Sequence, residues 1–159
     1  MSRRRKNKNL TRNINLDPVY NDITVSRFIN KLTRDGKKEK ARSIFYNSLK
    51  KIKELNSSAE PLSIFKKAIE NCKPSMEVRS RRVGGATYQV PVDIRPARKV
   101  TLAMRWLVAH SRNRKGKPMF ESLAKELLEA YNNRGNAIKK KEEVHKMAES
   151  NRAFSHYNW

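Results

Sequence analysis

The sequence predicts a mainly α-helical protein: a bundle of about six helices with one projecting two-stranded β-ribbon at about residues 74–96. Three observations carry that expectation. Apolar residues recur at i, i+3, i+4 and i+7 through most of the chain, the period of an amphipathic helix. That period gives way once, to strict alternation on either side of Gly84-Gly85. Finally, 37 Lys and Arg against 15 Asp and Glu leave a formal net charge of +22 on 159 residues.

Residues 1–16 read as a basic extended arm, with Arg3, Arg4, Arg5, Lys6, Lys8 and Arg12 set among Asn and Ser. Such a segment has too little apolar surface to fold alone and repels itself. Residues 17–159 read as a single helical domain. Val25, Phe28, Ile29 and Leu32 mark the first helix, with Asp22 as its cap and Asp35-Gly36 as the turn that ends it. Ala41, Ile44, Phe45, Ser48, Leu49, Ile52 and Leu55 keep one face of a second. Ser57 and Ser58 interrupt it, and Pro61 suits the first turn of a third, whose inner stripe is Leu62, Phe65, Ile69 and Cys72. The lone cysteine falls on that stripe and reads as a small buried hydrophobe.

Pro74 and Pro96 bracket the ribbon. Met76, Val78 and Ser80 alternate with charged residues, as Tyr88, Val90, Val92 and Ile94 alternate with Thr87, Gln89, Pro91 and Asp93. A two-residue loop would pair Arg79 with Val90 and mix the faces. One buried face therefore predicts an odd-length loop or a bulge at Ala86, pairing Met76 with Ile94, Val78 with Val92 and Ser80 with Val90. Strands of about ten residues make a ribbon of about 30 Å. Pro91 belongs on an outward edge.

A fourth helix runs from about Arg98 to Arg112 with Leu102, Ala103, Trp106 and Leu107 inward. Phe120, Leu123, Ala124, Leu127, Leu128 and Tyr131 make the cleanest stripe, with Gly135 as its stop. The last helix spans Ala137 to about Phe154, with Val144, Met147 and Ala148 along one side.

The charge narrows the function. A compact chain of this mass exposes roughly 8,200 Å², so such a charge density repels itself unless a polyanion neutralises it in the working state. The sequence predicts no enzyme, no cofactor and no metal site. His110, His145 and His156 are scattered, Cys72 is alone, and no GxSxG elbow or GxxxxGK[ST] loop is present. No apolar run approaches the length of a membrane span, and none follows the basic N-terminus, so neither a membrane anchor nor a secretory signal is expected. Basic groups recur in every segment that should reach the surface: the arm, Lys37 and Lys38, Arg79, Arg81 and Arg82, Arg95 and Arg98, Arg112, Arg114 and Lys115, and Lys139, Lys140 and Lys141. Many phosphate contacts with few aromatic platforms favour folded RNA read by shape and backbone. A DNA-compacting protein of the nucleoid type is the alternative, and an RNA-modifying enzyme the more distant one.

Five stretches narrow it further: EVRSRRVGGATYQVPVDIRP (Glu77 to Pro96), RDGKK (Arg34 to Lys38), LAMRWLV (Leu102 to Val108), KKKEEVHKMAESNRAFSHY (Lys139 to Tyr157) and the Arg3-Arg4-Arg5 opening. Standing along the chain in the family's order, they resemble the bacterial small-subunit ribosomal protein seven family over nearly the whole chain. The resemblance implies a ribosomal location, bacterial or organellar, and a primary binder of small-subunit rRNA that nucleates assembly of the subunit head. It implies rRNA contacts from the basic residues named above. It places the ribbon tip, Gly84 and Gly85, and the last helix with Lys146 and Arg152, near the exit site for tRNA and the mRNA path, beside neighbouring small-subunit proteins. The chain departs from the family in an Asn-rich arm beyond Lys6, in Ser57 to Pro61, and in its Tyr157-Asn158-Trp159 end.

Overall fold

The computed structural model describes residues 13–57 and 59–157. Six α-helices are α1 (Ile23–Leu32), α2 (Lys38–Leu55), α3 (Pro61–Cys72), α4 (Pro96–Asn113), α5 (Met119–Tyr131) and α6 (Asn136–Ser150). Strands β1 (Met76–Val83) and β2 (Ala86–Asp93) separate α3 from α4, and a 3-10 helix (Arg152–Tyr157) follows α6. A helical bundle with one antiparallel ribbon is therefore what the chain forms.

Local chemistry sets the helix ends. Asp22 caps α1 by accepting the Thr24 N–H at 2.6 Å. Proline opens α3 and α4, where its missing N–H leaves no bond unmade. The core begins with three rings, Phe28 of α1, Phe45 of α2 and Phe65 of α3, whose centroids lie 5.1–5.6 Å apart in tilted and edge-on contact. Leu107, Leu123 and Leu127 complete it, all fully buried. α5 is the central helix and packs against α2, α3, α4 and α6. Cys72 is fully buried, and desolvation pushes its thiol pKa up to about 12.

Several sequence expectations are corrected. The ribbon has no odd loop: Val83 pairs with Ala86, Arg79 with Val90 and Met76 with Asp93. Gly84 and Gly85 have φ of +57° and +88°, the positive values a two-residue turn matched to strand twist demands. One apolar face was the wrong premise, since Val90 and Pro91, on opposite faces, are both buried. Counting from a hydrogen-bonded closing pair puts Pro91 opposite Val78 at a non-hydrogen-bonded site, so its missing N–H costs the ladder nothing. The strands are eight residues each and shorter than expected.

The other corrections concern helix ends and stripes. Gly135 does not stop α5. Asn133, at φ +54°, does so: its N–H donates to the Ala130 carbonyl, and the Arg134 N–H donates to that of Glu129. Gly135 instead precedes α6, where a side chain would meet Glu129 Cβ at 3.0 Å. α6 ends at Ser150 rather than near Phe154. Leu55 and Met147 are exposed, while Ile64, Ala68 and Met104 fill core positions the stripes omitted.

Candidate nucleic-acid interface

The α1–α2 turn and the α4–α5 loop lie side by side. Between them opens a cleft of about 460 Å³. Arg34, Lys37 and Lys40 line it from one segment, and Arg112, Arg114 and Lys117 from the other. Asp35 is the one acid on its wall, 3.7 Å from the Arg34 guanidinium. Lys37, Arg112 and Arg114 were expected from sequence, and the fold brings them together. Lys38 and Lys115 are exposed beside them.

Two of the three cleft arginines are held by the protein's own carbonyl and carboxylate groups. Arg112 Nη2 donates to the Leu32 carbonyl at 3.0 Å. Arg114 donates to Glu126 and Glu129, and burial is outweighed by these carboxylates, which raise its pKa further. Glu126 is fully buried, and its other oxygen accepts the Ala137 N–H at 2.9 Å, so the same carboxylate caps α6. Sequence reasoning missed Glu126. The available signal was an acid on the inner stripe of α5, three residues past Leu123 and four before Ala130.

The ribbon forms a second basic surface. Arg79 and Arg81 stand on the Tyr88 and Val90 face, while Arg82 stands on the other face and is exposed. Arg79 is not a simple solvent-facing cation. It pairs with Glu77 at 2.7 Å, and Arg98 pairs with the other Glu77 oxygen at 2.9 Å. Burial would raise the Glu77 pKa, but the Arg98 and Arg79 hydrogen bonds overcome it and hold the carboxyl below its usual range. Glu77 is a further residue sequence missed, since its partner Arg98 lies on another element. Arg95 is exposed at the start of α4.

The third surface is α6. Lys139 and Lys146 are exposed. Lys140 pairs with Glu143 at 2.9 Å, and Arg152 with Glu149 at 3.3 Å. Lys141 donates to the Asn71 carbonyl at 2.7 Å, and His145 Nε2 accepts the Ser75 N–H at 3.0 Å. The first bond fastens α6 to the end of α3 and the second to the root of the ribbon. The 3-10 helix lays Phe154 and Tyr157 on Tyr88, with ring centroids 5.3 and 5.1 Å away. The ribbon and the 3-10 helix thus pack together, with Gly84 and Gly85 exposed at the ribbon tip.

Arg3, Arg4, Arg5, Lys6 and Lys8 lie outside the described residues. The described chain from Asn13 to Leu16 is exposed. Asp17 anchors the turn ahead of α1 by accepting the Tyr46 hydroxyl at 2.9 Å and the Val19 and Tyr20 N–H groups. Among the described residues no cluster of His, Cys, Asp and Glu could hold a metal ion, and no helix is long and apolar enough to cross a membrane.

Comparison with known proteins matches residues 3–152 to the family described as ribosomal protein S7p/S5e. Small ribosomal subunit protein uS7 of Bdellovibrio bacteriovorus is 60% identical over 159 residues, covering 100% of both chains. That of Nitratidesulfovibrio vulgaris is 57% identical over 143 residues, covering 90% of this chain and 91% of the relative. That of Thermotoga neapolitana is 53% identical over 159 residues, again 100% of both. With the family model matching residues 3–152, a span that holds all six α-helices and the ribbon, the chain belongs to the ribosomal protein S7p/S5e family, in its bacterial uS7 type.

Proposed function

We propose that this chain, a structural protein of the small ribosomal subunit whose partners are ribosomal RNA and other ribosomal proteins, is a primary binder of small-subunit rRNA that nucleates assembly of the head. The observation that carries this reading is the cleft: six cations from two distant segments converge there, against Asp35 on the wall and the Glu126 and Glu129 carboxylates that hold Arg114. Phosphates supply the charge the surface lacks, and released counterions offset the entropy of ordering the RNA. The ribbon and α6 supply further contacts. Their packing against each other supports a role for the Gly84-Gly85 tip, Lys146 and Arg152 beside tRNA and mRNA at the exit site. Neither a catalytic step nor a cofactor enters this account.

The test is competition. The full chain should bind a junction fragment of small-subunit rRNA and resist displacement by duplex DNA, and it should cosediment with small subunits after a moderate salt wash. Equal displacement by DNA and rRNA would favour the DNA-compacting reading instead.

A further inference from the structure

The basic cleft has a floor as well as walls. Met119 and Ser122, in the first turn of α5, line it, as do Lys37, Lys40 and Ala41 at the start of α2. Neither helix start has a side-chain cap: Lys37 and Pro118 occupy the cap positions, and only their backbone carbonyls accept, from the Ala41 and Ser122 N–H groups. At the α2 start the Lys38 N–H is taken by the Gly36 carbonyl at 2.8 Å, which leaves the Glu39 and Lys40 N–H groups, and those of the first turn of α5, without a side-chain acceptor beside a cleft that already collects positive charge. Ser122 adds an independent sign. It is 1% exposed, and its Oγ makes no hydrogen bond among the described residues. Two other buried helix serines do bond: Ser48 Oγ donates to the Phe45 carbonyl and Ser111 Oγ to that of Leu107. A buried hydroxyl left unpaired is costly and calls for a partner.

We infer that the cleft is a built oxyanion seat, in which one RNA backbone phosphate sits at the starts of α2 and α5, flanked by Arg112 and Arg114 and hydrogen-bonded by Ser122. This rests on the RNA-binding reading and narrows it to one place. The Leu32 carbonyl fixes the first arginine, and Glu126 with Glu129 fixes the second, so both forks are positioned before RNA arrives. Lys37 and Lys40 close the open side as mobile point charges. The serine hydroxyl reaches the phosphate oxygen by turning about χ1, its one side-chain torsion between heavy atoms. Helix starts bind phosphate through backbone N–H groups and the dipole together, which requires no sequence-specific contact.

The test uses the full chain and its Ser122→Ala variant. In free protein the variant should be at least as stable as wild type, with a Tm gain of about 2–4 °C, because an unpaired buried hydroxyl is gone. Inorganic phosphate replacing chloride at constant ionic strength should raise the wild-type Tm, and the variant should lose most of that rise. Affinity for the rRNA fragment should drop about tenfold in the variant with an unchanged salt slope, since no charge is removed. Lys40→Ala should instead make the slope shallower by about one. A variant that matches wild type in both phosphate response and RNA affinity overturns the seat while RNA binding stands. A variant that loses the phosphate response but keeps full RNA affinity overturns the backbone assignment, leaving a free-anion site. Wild-type protein that binds no rRNA at all would sink the underlying reading.

Discussion

Arg114 and Glu126 join two basic surfaces through one carboxylate: Arg114 Nε donates to Glu126 Oε2 at 3.1 Å while Glu126 Oε1 accepts the Ala137 N–H at 2.9 Å. The cleft and the start of α6 thus share a hub at a fully buried side chain. Glu126→Ala leaves a partly buried guanidinium and an uncapped helix start, and should cost about 3–5 kcal/mol. Glu126→Gln keeps an acceptor for Ala137 and should cost less. Urea unfolding of both variants checks the order, and equal losses would contradict the capping role.

Leu127 is fully buried on the central helix. Leu127→Ala should destabilise the protein by about 2–5 kcal/mol. Arg82→Ala on the exposed ribbon face should leave unfolding within about 0.5 kcal/mol of wild type while weakening rRNA binding. Thermal melts should therefore single out the first variant, and filter binding under folding conditions the second.

His145 Nε2 must be unprotonated to accept the Ser75 N–H. Burial, and then the Lys141 ammonium, hold its pKa below the ordinary 6.5. Just below that value the unfolded chain takes up protons that the folded protein refuses. The stability this histidine contributes is fully present above pH 6.5 and is lost as pH falls toward its lowered folded value. Melting curves between about pH 7.5 and about pH 5 should show that slope, and His145→Gln should flatten it. The Glu77 carboxyl, also held low, acts in a separate window: its contribution is present above pH 4.5 and is lost on further acidification.

Gly135 and Gly84 both have positive φ, but only Gly135 has neighbours within reach of a Cβ, with Glu129 Cβ and Oε2 at 3.0 Å and Glu126 Oε1 at 3.3 Å. Gly84→Ala should cost about 1 kcal/mol from backbone strain alone. Gly135→Ala should cost more, because it also disturbs the carboxylates that hold Arg114. Denaturation of the pair separates strain from crowding.

Most helices were legible because they bury a stripe that their own sequence spells out, as Val25, Phe28, Ile29 and Leu32 do for α1, whereas α6 buries Ala137, Ile138 and Ala148 in place of the expected Val144 and Met147 side. The ribbon was legible in place but misread in register. Alternation identifies faces only when one face is buried, and here Glu77 is buried beside Val92 because Arg98, on another element, neutralises it. The basic clusters were legible one at a time. The cleft was not, because no local pattern says that the turn at Lys37 and the loop at Arg114 end on the same side of α5. Ser122 carried no signal either, since its meaning lies in a partner it does not have.

Salt titration of binding to a small-subunit rRNA fragment tests the central claim most directly. If the cleft, ribbon, α6 and arm together neutralise about eight phosphates, log K should fall against log salt with a slope near −7, and each cation removed from the cleft should make it shallower by about one. A slope near zero, or one indifferent to Lys37, Lys40 and Arg112, would contradict the account.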